Sequence, residues 1–371
     1  MPPRYTDLVA SLPANVPFIG PETMERARGA DFLARLGANE SVFGPSPKAL
    51  EALRAAEAGI WKYGDSTSHD LRHALAVHHD ITPETIVVGE GIDGLLGYLV
   101  RLLIEPGETV VTSAGGYPTF NYHVSGYGGV LDKVPFDGDR EDLPALIARA
   151  TQTRAKLVYL ANPDNPMGTY WTGAEIAAAL EHLGPDTLMV LDEAYGEFAP
   201  ADAALPLPVT DERVIRMRTF SKAYGMAGAR VGYAIGAVEL IQSFEKVRNH
   251  FGLNRAAQAG ALAALADQPY LSEVRAKVET SRAEIARIAS NNGLTSLPSA
   301  TNFVAVDCGG DGDLARAMVA ALGRRGVFVR MPFVPPQDRC IRISCGTPED
   351  MAVLAEVFGA ALAEARAGAP D

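Results

Sequence analysis

The sequence predicts an α/β fold, with a large domain built on a mostly parallel central sheet and a smaller α+β domain after it. Three observations lead there. Short β-branched runs alternate with helix-period patterns through the middle of the chain, the pattern that strand–helix–strand units of a parallel sheet leave in a sequence. After about residue 270 the alternation gives way to one long charged helical stretch and a few strands in a different order. The 371 residues also exceed what one hydrophobic core ordinarily organises. The expected division is a Pro-rich, irregular N-terminal segment over residues 1–40 that packs on the smaller domain or on a partner subunit, a large domain over 41–268 and the smaller domain over 269–371.

A first strand is expected at residues 85–88, and behind it Ile92, Leu95, Leu96, Leu99, Val100 and Leu103 recur at helical spacing. Further strands are expected at 109–112, 156–160, 187–191, 214–218 and 230–235. Between them an Ala-rich helix over 173–183 follows Thr172, a residue type that caps helix N-termini. The smaller domain reads as a helix over 271–291, a strand at 302–307, a helix at 313–323 and a strand pair at 327–330 and 340–344.

Composition excludes several classes of function. A chain 47% hydrophobic and 21% charged, without a low-complexity block, is a folded globular protein. With 33 Lys and Arg against 45 Asp and Glu, the net charge of -12 repels a phosphate backbone, so no nucleic-acid partner is expected. Cys308, Cys340 and Cys345 show no CxxC or Cys/His spacing, so neither a disulfide framework nor a metal site is indicated, and they read as buried small hydrophobes. No run reaches membrane-span length, and the first residues lack an apolar core with a cleavage site, so a cytoplasmic protein with no membrane partner is expected.

An open α/β sheet binds ligands in the crevice at the carboxyl ends of its strands, and four segments place polar residues there. Gly89-Glu90-Gly91-Ile92-Asp93-Gly94 turns from a strand into an apolar helix, whose free N–H groups and positive dipole end suit a phosphate; an ordinary tight turn has the same pattern. It matches neither the GxGxxG nor the GxxxxGK[ST] loop. In Asn162-Pro163-Asp164-Asn165-Pro166-Met167-Gly168 the proline corners fix Asn165 at the sheet edge, where its amide suits a ring substituent, although any Pro-rich loop looks similar. Asp192, at the end of an apolar strand, needs a cationic partner such as a protonated pyridine nitrogen to stay ionised, unless it merely caps a helix. In Thr219-Phe220-Ser221-Lys222-Ala223-Tyr224-Gly225 a lysine follows a strand directly, among small residues. Such an amine loses its proton more easily than one in water and suits condensation with an aldehyde, while Ser221 and Arg230 suit a phosphate; a surface lysine is the alternative.

In this order the four segments resemble the motifs of the pyridoxal-5′-phosphate (PLP) enzymes of fold type I, the aspartate aminotransferase superfamily, over roughly residues 35–350. The resemblance implies PLP as cofactor and a homodimer that exchanges an amino group between a small-molecule amino donor and a 2-oxo acid. It assigns Lys222 to the covalent hold on the cofactor, Asp192 to its ring nitrogen, and Asn165 and Tyr195 to its ring oxygen. Ser221, Arg230 and the backbone of Gly91, Ile92 and Asp93 would hold its phosphate, and Tyr117 would stack on its ring. Lys222, Asp192 and Tyr195 are thus the expected catalytic residues.

Within the superfamily the sequence is most similar to the histidinol-phosphate aminotransferases, on Leu36-Gly37-Ala38-Asn39-Glu40-Ser41, Tyr63-Gly64-Asp65 and Arg342-Ile343-Ser344-Cys345-Gly346-Thr347. That similarity implies that Tyr63 reaches the phosphate of the partner subunit's cofactor, and that Asn39, Arg330 and Arg342 bind substrate, with L-histidinol phosphate as donor and 2-oxoglutarate as acceptor. Ile92 and Gly94 depart from the family's glycine-serine-aspartate-glutamate turn, Met167 replaces a threonine, and Phe18 replaces a substrate-side tyrosine. These changes, with the apolar stretch Met331-Pro332-Phe333-Val334-Pro335-Pro336, keep an aromatic amino acid in view as the alternative donor. Decarboxylases and lyases share the fold. A nucleotide-dependent dehydrogenase lacks its glycine-rich loop here, and a catalytically dead relative would lack the lysine or the aspartate, both of which are present.

Overall fold

The computed structural model describes residues 3–14 and 19–368; Pro17 and Phe18 lie outside them. Twelve strands are present among the described residues: β1 (Ala34–Arg35), β2 (Ile86–Gly89), β3 (Thr109–Ser113), β4 (Val130–Val134), β5 (Leu157–Ala161), β6 (Leu188–Asp192), β7 (Val214–Thr219), β8 (Gly232–Ile235), β9 (Thr295–Ser296), β10 (Phe303–Asp307), β11 (Val327–Phe328) and β12 (Cys340–Ser344). Seven of them form one sheet in the order β2-β8-β7-β6-β5-β3-β4. Every pairing in it is parallel except the two made by β8. The predicted α/β class with a largely parallel sheet is the observed one. Sequences such as IVVG and LVYLA are buried along their whole length, as befits strands covered by helices on both faces.

Parallel strands end at a common edge, which here carries Gly89, Ser113, Ala161, Asp192 and Thr219. Because β8 runs the other way, Gly232 at its start lies opposite both Gly89 and Thr219, and the turn before it delivers Arg230 to that same edge. The strand expected over 230–235 begins two residues late, since Arg230 has a left-handed backbone (φ 57) after the tight turn Ala227–Ala229. The other expected boundaries hold or shift by at most three residues; the helix after Thr172 stops at Leu180, and it opens with a full capping box between Thr172 and Glu175. Strand β4 is new relative to the sequence reading, because an edge strand reading VLDKV, with only its last residue buried, lacks an apolar run.

The C-terminal unit is a three-stranded sheet, β12-β10-β9, packed against the helices Gln268–Asn291, Gly312–Arg324 and Pro348–Gly368. The expected pairing of 327–330 with 340–344 is corrected: β12 pairs with β10, β11 pairs with β1, and Arg330 meets Arg342 in a single antiparallel bridge. Prolines at 332, 335 and 336 offer no N–H to extend a ladder there. Residues 34–36 thereby become a strap on this unit, with the Leu36 amide donating to Phe328 O (2.7 Å) and the Ser344 amide donating to Leu36 O (2.8 Å). Cys308, Cys340 and Cys345 are all buried and unpaired.

Candidate active site

A cavity of about 510 Å3 lies between the common strand edge and the C-terminal unit. Of the residues singled out from the sequence, Asn39, Ile92, Asp93, Tyr117, Asn165, Asp192, Tyr195, Ser221, Lys222, Arg230, Arg330 and Arg342 all line it. Gly91 and Tyr63 do not line the cavity of their own chain.

Asp192 ends β6 and is only 5% exposed. Its Oδ2 accepts from the Tyr159 hydroxyl at 2.5 Å and its Oδ1 from the Ala194 amide at 2.9 Å. Burial pushes its carboxyl up to about 6, while the two hydrogen bonds pull the other way. Tyr159 was not anticipated from the sequence. It is fully buried, stacked on Phe120 at 4.7 Å, and its own ionisation is pushed far up by burial and by Asp192. The signal was present in β5: Ala161 lies opposite Asp192, so Tyr159, two residues earlier, shares that face. A phenol in a strand of Leu, Val and Ala needs a partner for its hydroxyl.

Lys222 follows β7 by three residues, and its Nζ donates to the carbonyl of Asn39 at 3.1 Å and stands 5.6 Å from the centre of the Tyr195 ring. Asn39 arrives on the strap with a left-handed backbone (φ 54), which asparagine tolerates better than most residues. Its Nδ2 donates to the Tyr195 hydroxyl (3.0 Å), its Oδ1 accepts from the Ser344 hydroxyl (3.1 Å), and its carbonyl also accepts from Asn302 (3.2 Å). One residue of the strap thus ties the lysine of the sheet to two residues of the C-terminal unit. Ser344 and Asn302 were likewise missed, since nothing local connects them to residue 39.

At the other end of the cavity, the helix Gly91–Leu103 begins without a side-chain cap, so its first amides face outward. The Tyr117 hydroxyl donates to Asp93 Oδ1 at 2.8 Å, and Arg230 Nη1 lies 3.4 Å from Ser221 Oγ, with Nη2 3.9 Å from Asp93 Oδ2. A Cβ on Gly91 would run into the Arg230 guanidinium, and one on Gly232 would come within 2.7 Å of the Gly91 backbone. The glycines therefore clear a cradle of amides, a hydroxyl and a guanidinium that fits a phosphate group. A buried carboxylate in want of a cation lies on the cavity floor, and a lysine stands beside an aromatic wall. That set of groups fits PLP.

On the side of the C-terminal unit, Arg342 Nη1 donates to Asn165 Oδ1 and Nη2 to Gly37 O (3.3 Å), with the guanidinium 5.3 Å from the centre of the Phe303 ring. Burial lowers its ionisation to about 10, and Arg330 adds to the drop. Arg330 Nη2 donates to Ile19 O at 2.7 Å.

The sequence profile of the family described as "Aminotransferase class I and II" matches residues 33–358. The chain belongs to that family. Histidinol-phosphate aminotransferase of Anaeromyxobacter sp. (strain Fw109-5) is 37% identical over 95% of this aminotransferase and 98% of its own length. The crystal structure of histidinol-phosphate aminotransferase from Sinorhizobium meliloti in complex with pyridoxal-5′-phosphate is 53% identical, covers 97% of this chain and 98% of that one, and superposes with a TM-score of 0.94. A Thermus thermophilus aspartate aminotransferase, at 25% identity, shares the fold with a TM-score of 0.80 over 97% of this chain. The expected fold-type-I architecture, the PLP cofactor and the aminotransferase activity are all met.

The Tyr159 contact makes a prediction. Tyr159→Phe removes a hydrogen bond to a charged group, typically about 1.5–3 kcal/mol, so ionised Asp192 becomes harder to hold. The acidic limb of the kcat/KM profile of this aminotransferase is expected to move to higher pH with the protein folded and PLP bound. An unmoved limb means that Tyr159 only fills space.

Proposed function

We infer that this aminotransferase takes the amino group of L-histidinol phosphate and delivers it to 2-oxoglutarate, with Lys222, Asp192 and Tyr195 as its catalytic residues. The observation that carries the reading is the arginine pair. Arg330 and Arg342 are joined backbone to backbone on the cavity wall, and no carboxylate among the described residues lies within ion-pair range of Arg342. Two guanidiniums side by side suit the phosphate dianion of the substrate, each hydrogen bond to it contributing roughly 1.5–3 kcal/mol. The named relatives support the same substrate.

PLP supplies an electron sink for the negative charge that develops at the substrate carbon. Lys222 takes the proton from that carbon and returns one, acting as the general acid–base, with Asn39 O orienting its Nζ. Asp192 would pair through its carboxylate with a cationic ring nitrogen, Asn165 and Tyr195 would reach the ring oxygen, and Tyr117 would cover the ring face. The Gly91, Ile92 and Asp93 amides, Ser221 and Arg230 would hold the phosphate. Asn39, Arg330 and Arg342 position substrate.

Met331, Pro332, Phe333 and Val334 also line the cavity, and this favours a second reading in which they enclose an aromatic side chain while Arg342 clamps an α-carboxylate. Steady-state comparison of L-histidinol phosphate with phenylalanine, in wild type and Arg330→Ala, separates the two. A selective drop of at least about tenfold with the phosphate ester is expected. Good phenylalanine turnover with an indifferent Arg330 would overturn the first reading.

The same reading includes a homodimer. Tyr63 is 77% exposed and packs on Phe251 (5.0 Å between rings), beside the exposed Ile60 and Trp61, a patch of the kind that marks an interface. With Tyr63 reaching the partner's phosphate cradle, a dimer of one Tyr63→Phe and one Lys222→Ala subunit holds one intact site and one doubly damaged site. Mixing the two variants is expected to give more activity than either alone; strictly additive activity would remove the shared site. No helix of the described residues is long and apolar enough to cross a membrane, and we place the reaction in the cytoplasm, on small molecules and without nucleic acid.

A further inference from the structure

A second cavity, of about 620 Å3, opens between the sheet and the C-terminal unit, away from the catalytic groups. Three arginines line it, Arg140, Arg275 and Arg282, against a single lining carboxylate, Glu279. In a chain of net charge -12 this is a local reversal of sign. Arg275, Glu279 and Arg282 belong to the helix Gln268–Asn291 and recur at four- and three-residue spacing, so they share one face. Arg140 approaches from the opposite wall, its guanidinium flat on Trp171 at 3.2 Å from the ring centre and one edge 3.3 Å from Glu175 Oε2. Arg282 is aimed by donating to the Ser299 carbonyl. Arg275 has no hydrogen bond or ion pair with any described residue.

We propose that this cavity binds a small polyanion, a di- or tricarboxylate or a condensed phosphate, between Arg140 on the sheet side and Arg275 and Arg282 on the helix side. Cations on opposite walls gain from an anion that spans them, and the planar guanidiniums present paired donors to either oxyanion chemistry. Tyr170 and Ser272 line the same space.

An occupant here would also touch the active site through one short segment. Asn165 lines the catalytic cavity, whereas Gly168, Thr169 and Tyr170 line the second. Between them, buried Asp164 accepts from the Thr169 hydroxyl (2.8 Å) and the Met167 amide (3.1 Å), and Gly168 O takes the Ala300 amide of the C-terminal unit (2.8 Å). The segment is thus stiff, and fastened to both bodies that the anion would bridge.

The test is calorimetric titration of the PLP-loaded enzyme with citrate and, separately, with pyrophosphate at constant ionic strength. Wild type, Arg275→Gln, Glu279→Gln and Arg330→Ala are compared. Saturable binding of at least one anion is expected, weakened at least about tenfold in Arg275→Gln, tightened in Glu279→Gln and retained in Arg330→Ala. Which anion binds identifies the chemistry. Arg275 and Glu279 are exposed and their replacement leaves the fold and the basal turnover intact, so a change in binding is read directly. Binding that is lost in Arg330→Ala and untouched in Arg275→Gln would assign the anion to the catalytic cavity and overturn the proposal, as would the absence of saturable binding by either probe.

Discussion

Lys222→Ala is expected to leave a folded protein whose turnover falls by at least about 10^4-fold, because on the function proposed above this one side chain would provide both the covalent hold on the cofactor and the proton transfer. No other described lysine lines the cavity except Lys133, which is exposed on edge strand β4, far along the sheet from β7. The fold should survive, since the amine makes one hydrogen bond, to Asn39 O, and that carbonyl keeps Asn302 as a donor. The check is twofold: single-turnover rates with amino donor, and the visible absorbance of the dialysed protein. Lys222→Ala that kept the wild-type absorbance after dialysis would place the cofactor's anchor elsewhere.

Asp192→Asn is expected to cost about 10²–10⁴-fold in kcat, by removing the negative charge that a cationic ring nitrogen needs, while the strand end itself stays hydrogen-bonded. The same residue gives the cofactor-free protein a pH signature. Burial raises its carboxyl to about 6, above the roughly 3.9 of an unfolded aspartate. A group raised on folding contributes stability that is fully present below its unfolded value and lost as pH climbs through the folded one, here from about 4 to above 6. Asp164, pushed up to about 7 by its own burial, contributes in the same direction, so the difference between wild type and Asp192→Asn isolates the one group. Melting curves of the two cofactor-free proteins should keep a constant offset below pH about 4, diverge between about 4 and about 6 as the wild type loses stability, and hold the widened gap above that, with the asparagine variant favoured. Parallel curves between about pH 4 and 6 would mean that folding does not raise the Asp192 carboxyl.

Much of the cavity was legible in the chain because its groups are written into short segments at strand ends. Asp192 closes an apolar run, Lys222 follows one, and the proline corners around Asn165 mark a loop held at the sheet edge. What escaped depended on pairing between distant segments. Tyr159 reaches Asp192 only through the β5–β6 register, and Asn39 meets Lys222, Ser344 and Asn302 only once the strap lies on β11. Strand β4 escaped for a different reason: exposed on an edge, it has no apolar periodicity to betray it. The strand pair expected at 327–330 failed on chemistry that was visible, three prolines that cannot continue a ladder.

The place of β8 sets the order in which the enzyme becomes competent during synthesis. Strand β2 sits on the rim of the sheet with β8 as its sole neighbour, so the turn at Gly91 leaves the ribosome early and has no strand to lean on until the chain has been made past Ile235. The contacts of Asn39 with the C-terminal unit wait longer still, for Asn302 and then Ser344. A nascent chain therefore completes the packing of Gly91 against Gly232 before the C-terminal unit comes to lie over it, and an early-made edge stays unpaired while the chain between Glu90 and Gly232 is made. Long-range pairing of this kind is slow and leaves edges open to wrong partners, which makes the window before β8 emerges the stage at which chaperone protection matters most.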